Sequence, residues 1–144
     1  MTLRGPDIAS PRAAGKYTVG VPMWMWVNQS VTTYGPNTAS ATAGGVTVAA
    51  TAKVSRIVWT MGDGFSVTCN GPGTPYTSSD VMGPSPTCGH VYSKTSAGAA
   101  GGKFPVTATS TWTINWEGGG QTGQLTEARQ TQVQVAVGEV QVVR

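Results

Sequence analysis

Charge is scarce in this chain. Charged residues make up 10% of its 144 positions, against roughly a quarter in an ordinary soluble domain. Thr, Ser, Gly, Gln and Asn must therefore wet the surface, and long charged helices and coiled coils are excluded. Long apolar runs are missing too, far short of the roughly 18–20 residues that a membrane-spanning helix needs, so no span is expected. The nine Lys and Arg are dispersed with no two adjacent. They give a formal net charge of +3 without the clustered stripe that neutralises several phosphates, so nucleic acid is not an expected partner. Histidine occurs once, at His90, and cysteine twice, at Cys69 and Cys88. Together they offer at most three soft ligands where structural zinc takes four, so neither a metal nor a cofactor is expected. With one imidazole, six acids and no G-x-S-x-G elbow, the chain supplies no catalytic set, and a hydrolase is the least supported reading.

What the chain does have is glycine, proline and alternation. Its 20 Gly and 9 Pro punctuate short apolar segments of period two, with almost no helical periodicity. Val46, Val48, Ala50, Ala52 and Val54 share one face of a strand. Phe104, Val106, Ala108, Ser110, Trp112, Ile114 and Trp116 do so over an unusually long central strand, mostly opposed by Thr. A further strand is expected over residues 132–143, with a bulge or kink at Gly138 where its phase shifts. Residues 117–123 between them read as a flexible hairpin loop. The turn Gly62-Asp63-Gly64 joins two short strands as a hairpin, and Tyr17–Val27 forms one more extended segment. Strands at short intervals with Gly/Pro-rich turns predict an antiparallel β-sandwich. Residues 1–15 read as an arm or linker and 16–144 as the folded unit.

Cys69 and Cys88 flank a loop rich in turn formers, from Asn70 to Thr87. A disulfide closing it removes about 3 kcal/mol of unfolded-chain entropy and makes an oxidising, extracellular or envelope location the natural reading. Met1–Gly15 carries no continuous apolar stretch of the signal-peptide kind. An oxidising location then implies a processed or truncated chain, or another export route.

The stretch Val58-Trp59-Thr60-Met61-Gly62-Asp63-Gly64, followed by Cys88-Gly89-His90-Val91-Tyr92 and by Phe104-Pro105-Val106, resembles the polycystic-kidney-disease (PKD) type of immunoglobulin-like domain. That family pattern is matched at Trp59, Gly62, Asp63, Gly64, His90, Tyr92, Gly102, Phe104 and Val106. It departs at Met61 and Phe104, where the family has Phe and Tyr, and at the disulfide-framed insertion Asn70–Thr87. The pieces Gly5-Pro6-Asp7-Ile8, residues 21–26 and Gly73-Thr74-Pro75-Tyr76 are also similar to the C-terminal region of secreted or envelope proteins of actinobacteria. The resemblance implies an immunoglobulin-like, PKD-type sandwich, an extracytoplasmic interaction module, and no chemistry.

Candidate sites follow from residue type. Asp63 is expected to bond local backbone donors in its glycine-flanked turn; calcium there would need more oxygens, and the next carboxylate is Asp80. His90 and Tyr92 are expected to satisfy loop backbone as corner residues. Gly98–Lys103 fails as a phosphate loop, because Ala97 stands where the first glycine is needed and Phe104 replaces the magnesium-binding hydroxyl. Trp59 is expected in the core. Trp24, Trp26, Trp112 and Trp116 are the binding candidates. Trp24 and Trp26 share one face and Met23 and Met25 the other, so one pair is expected to face outward, either capping an open edge or end of the sandwich core or forming a platform for a partner protein, self-assembly or a cell-wall glycan.

Overall fold

Phe104 to Trp112 alternate buried with half-buried residues, and the sheet is organised round the strand they form. The computed structural model describes residues 1–77 and 83–140. Its strands are β1 (Asp7–Ser10), β2 (Lys16–Thr18), β3 (Met23–Trp24), β4 (Trp26–Asn28), β5 (Asn37–Ala43), β6 (Val46–Thr60), β7 (Ser66–Cys69), β8 (Gly89–His90), β9 (Phe104–Gly118) and β10 (Gln121–Gly138). Two 3₁₀ turns, Ser96–Gly98 and Ala100–Gly102, precede β9.

The main sheet runs β2-β10-β9-β6-β5. All of its pairs are antiparallel except β2 with β10, which is parallel. The far edge of β6 is shared, since β5 pairs with its first half and β7 with residues 57–60. Two short sheets, β1-β4 and β3-β8, supply a second layer. Met23, Met25 and Val27 from that layer share one buried cluster with Ile57, Trp59 and Val106 of the main sheet. The fold is thus all-β and two-layered, as a sandwich is. The Cys69–Cys88 disulfide ties β7 to the start of β8.

The strand expected over Val46–Val54 and the short strand expected just before the Gly62-Asp63-Gly64 turn belong to one strand, β6. The register slips between Val54 and Arg56, and the extra residue keeps both Val54 and Ile57 on the core face, where they are buried. The loop expected at 117–123 contracts to the two-residue turn Gly119-Gly120, both at positive φ, and β10 begins at Gln121 rather than at 132. At the other end β10 stops at Gly138, with no bulge there, and 141–143 lie outside the described residues. The extended segment 17–27 is broken into β2, β3 and β4 by the turn at Gly20 and the break at Met25.

The first fifteen residues, expected as an arm, are part of the packed unit. β1 pairs with β4, and Pro6 and Pro11 are fully buried. The Arg4 carbonyl accepts the Trp112 indole N–H at 3.2 Å, and the Pro6 carbonyl accepts the Thr131 hydroxyl at 2.6 Å. Beyond Trp112 this second layer ends. Val48, Ile114, Trp116 and Leu125 continue the core face of the sheet, yet Val48 is 41% and Leu125 57% exposed. The outer parts of β5, β6, β9 and β10 therefore form a four-stranded arm with one face apolar and the other mostly Thr, Asn and Gln.

Candidate functional site

The four binding tryptophans fall into different surroundings. Trp112 is completely buried, with its indole N–H spent on Arg4; it is a core residue with no face to offer a ligand. Trp116 is half-buried on the arm. Its ring lies over Gly123, where a Cβ would collide with the indole, so glycine is required for the ring to lie flat on the sheet. Trp24 and Trp26 are brought together at the opposite, disulfide-bearing region. Both are half-buried, while Met23 and Met25 face inward at 4% and 0% exposure, because alternation sends the thioethers to the core and the indoles out.

Three neighbours hold the Trp24–Trp26 segment. The Met25 N–H donates to the Cys88 carbonyl at 3.0 Å and the Val27 N–H to the Pro72 carbonyl at 2.9 Å, so both flanks of the disulfide loop grip it. Gly73, at φ +87°, sits directly against the Met25 carbonyl, and no side chain fits between them. From the third side the Ser10 hydroxyl donates to the Trp24 carbonyl at 2.6 Å. Trp24 is fixed in orientation: its Nε1–H donates to the Gly83 carbonyl at 2.7 Å, and Tyr76 meets it edge-on with ring centroids 5.0 Å apart.

The outcome is a cleft of about 280 Å³ lined by Tyr17, Val21, Pro22, Trp24, Trp26 and Tyr76, among others. Its walls are overwhelmingly apolar. Tyr76 was not among the sequence candidates, although it is the one aromatic residue in the disulfide-framed loop. A larger hollow of about 590 Å³ lies on the arm, lined by Thr51, Asn115, Trp116, Glu117, Thr122 and Gln124 with neighbouring residues, so Trp116 also borders a surface depression. It is shallow and open, with polar and apolar lining in equal measure.

The Gly62-Asp63-Gly64 turn and the corner residues form a separate cluster. Asp63 Oδ1 accepts the Phe65 N–H at 3.1 Å, and its Oδ2 lies 2.7 Å from His90 Nε2. The carboxylate is 2% exposed and the imidazole 11%. Sequence spacing does not announce this contact, since the two residues are 27 apart. Tyr92 donates its hydroxyl to the Met61 carbonyl at 2.8 Å and stacks on Phe104 with centroids 5.2 Å apart. Burial, followed by the negative charges of Asp63 and Tyr17, pushes its phenol well above the usual range. Both oxygens of Asp63 are thus engaged, Oδ1 within its own turn and Oδ2 in clipping that turn to β8. Among the described residues no three His, Cys, Asp or Glu side chains converge as a metal site would need; Asp80 lies outside them.

No protein-family model matches the chain, and no curated protein or solved structure matches it either.

Proposed function

We propose that this domain is a non-catalytic interaction module of a secreted or cell-envelope protein, an immunoglobulin-like sandwich of the PKD type, and that it binds an apolar side chain of a protein partner in the Trp24–Trp26–Tyr76 cleft. The observation that carries this reading is a preformed, rigidly braced aromatic cleft. Trp24 is fixed by a hydrogen bond and an edge-on ring contact, and the disulfide loop holds the backbone beneath it. A site ordered before binding loses little conformational entropy when it is filled. The disulfide supports the extracytoplasmic placement, because such bonds persist in oxidising compartments. The turn, corner and core positions of the PKD pattern support the family reading: Asp63 bonds its own turn, and Tyr92 bonds back to the Met61 carbonyl.

The same cleft weighs against a cell-wall glycan as the ligand. A sugar ring stacks on aromatics but also needs several convergent polar groups for its hydroxyls. Here the Trp24 N–H is already bonded to Gly83, and the Ser10 hydroxyl to the Trp24 carbonyl. The test is an NMR titration that follows the indole N–H signals of Trp24 and Trp26, using acetyl-leucine amide and a chito-oligosaccharide as probes. Saturable shifts with the leucine probe, lost in Tyr76→Ala, are expected. Shifts with the sugar alone would transfer the site to the glycan reading, and none with either probe would remove the cleft as a site.

A further inference from the structure

β5 is the end strand of the main sheet, and its outer edge is unguarded. Edge strands are ordinarily protected by charge, proline or a bulge against pairing with another chain. β10 follows that rule on its own outer side, carrying the Glu127–Arg129 ion pair at 3.3 Å before β2 covers its end from Ala136. β5 has none of these devices. It reads Asn37-Thr38-Ala39-Ser40-Ala41-Thr42-Ala43, uncharged and without proline, and it pairs with β6 in an unbroken register.

The strand is also a palindrome. Residues 38–42 read Thr-Ala-Ser-Ala-Thr in both directions. The backbone geometry makes that symmetry usable. β5 and β6 are joined by Gly44-Gly45, both at positive φ, which is the two-residue type I′ loop whose flanking pair, Ala43 and Val46, is hydrogen-bonded. Alternation then turns the backbone groups of Ala43, Ala41 and Ala39 toward β6, and those of Thr42, Ser40 and Thr38 outward.

We infer that β5 pairs antiparallel with β5 of a second copy of this chain, about a two-fold axis at Ser40, joining two arms into one continuous sheet. In that register Thr38 faces Thr42 of the second copy, Ser40 faces Ser40, and Thr42 faces Thr38. All are outward-pointing residues, and together they make about six backbone hydrogen bonds. Registers centred on Ala39 or Ala41 lose about a third of these, because the pairing then runs into Pro36 or Gly44. Side chains agree with the backbone. Alanine meets alanine on the apolar face and threonine meets threonine on the polar face, a pairing already present within the chain as the Thr42–Thr47 hydroxyl contact at 2.8 Å. The interface is isologous, so it closes at a dimer. It stands apart from the aromatic cleft and holds or fails independently of it.

The test is sedimentation equilibrium of the oxidised chain from about 1 µM to about 1 mM, alongside two variants. Ser40→Pro removes only an outward N–H, so the monomer keeps its ladder; Ser40→Lys sets two like charges opposite each other across the axis. The expected result is a concentration-dependent dimer, weakened about tenfold or more by each variant, with the melting temperature of the dilute protein unchanged. Ser40→Cys is expected to cross-link two chains on mild oxidation, since directly opposed residues lie about 5.5 Å apart at Cα. Thr126→Cys, on the polar face of β10, is the control. A chain that stays monomeric throughout overturns the inference. So does a dimer indifferent to both variants, a dimer dependent on Trp24 and Trp26 instead, or cross-linking at Ser40 no faster than at Thr126.

Discussion

Replacing Tyr92 by Phe isolates a single hydroxyl in the core and exposes its effect through pH. The ring keeps its stack on Phe104. The variant loses the bond to the Met61 carbonyl, which belongs to a fully buried residue. Losing a hydrogen bond while leaving such a carbonyl without its donor costs about 1–2 kcal/mol at neutral pH. The phenol adds a second effect of opposite sign. Its folded-state pKa is raised by burial and by the Asp63 and Tyr17 charges, so above the unfolded value of about 10 the unfolded chain releases a proton that the folded chain retains. The wild type therefore loses about 1.4 kcal/mol of stability per pH unit above pH 10 from this group, while the Phe variant does not. The two stabilities should converge and cross near about pH 11. Guanidinium unfolding under non-reducing conditions from pH 7 to 11.5, with the 295 nm phenolate absorbance followed in parallel, measures both effects. A stability gap that stays constant to pH 11 would mean that Tyr92 ionises in the folded protein, and would refute the argument.

Two further predictions concern the core and the disulfide. Trp112→Ala should cost about 3–5 kcal/mol, as for a fully buried indole. Trp116→Ala, with the same chemistry two turns of alternation further out, should cost less than about half of that; equal losses in thermal unfolding would deny that the core ends where the arm begins. Reducing Cys69–Cys88, which are 19 apart in sequence, should lower stability by about 3 kcal/mol. It should also broaden the Trp24 indole N–H signal, because the loop that carries Gly83 is released; an unchanged signal would separate the cleft from the disulfide.

Burial decides which parts of this fold are legible in the sequence. From Phe104 to Trp112 one face is packed against a second layer, so apolar residues recur at every second position and the strand declares itself. In Thr38–Ala43 and Gln121–Ala128 neither face is packed against that layer, the residues are small or polar apart from Leu125, and the period-two signal is too weak to read although the ladder continues unbroken. Half of the arm therefore reads as loop. The bulge after Val54 breaks the alternation in the same way, splitting one strand into two on paper. The pairing of Cys69 with Cys88 is legible because no other cysteine competes. The cleft is only half legible: alternation separates Trp24 and Trp26 from the methionines, but Tyr76, Val21 and Tyr17 arrive by tertiary packing. Likewise the Asp63–His90 contact depends on how the disulfide loop folds back, which spacing alone does not encode.

The bonds between the first residues and the last strand also set an order of events. Leu3 is hydrogen-bonded to Arg129, Pro6 to Thr131, and β2 lies parallel to the end of β10. Partners so far apart in sequence meet only after a long loop has closed, which makes their docking slow and late. While the chain emerges from a ribosome, β1 finds β4 within the first thirty residues, but β2 and the carbonyls of Leu3 and Pro6 have no partner until Arg129–Gly138 has followed. β2, among the first strands to be made, is therefore the last to join the main sheet, and that sheet is complete only once β10 has arrived.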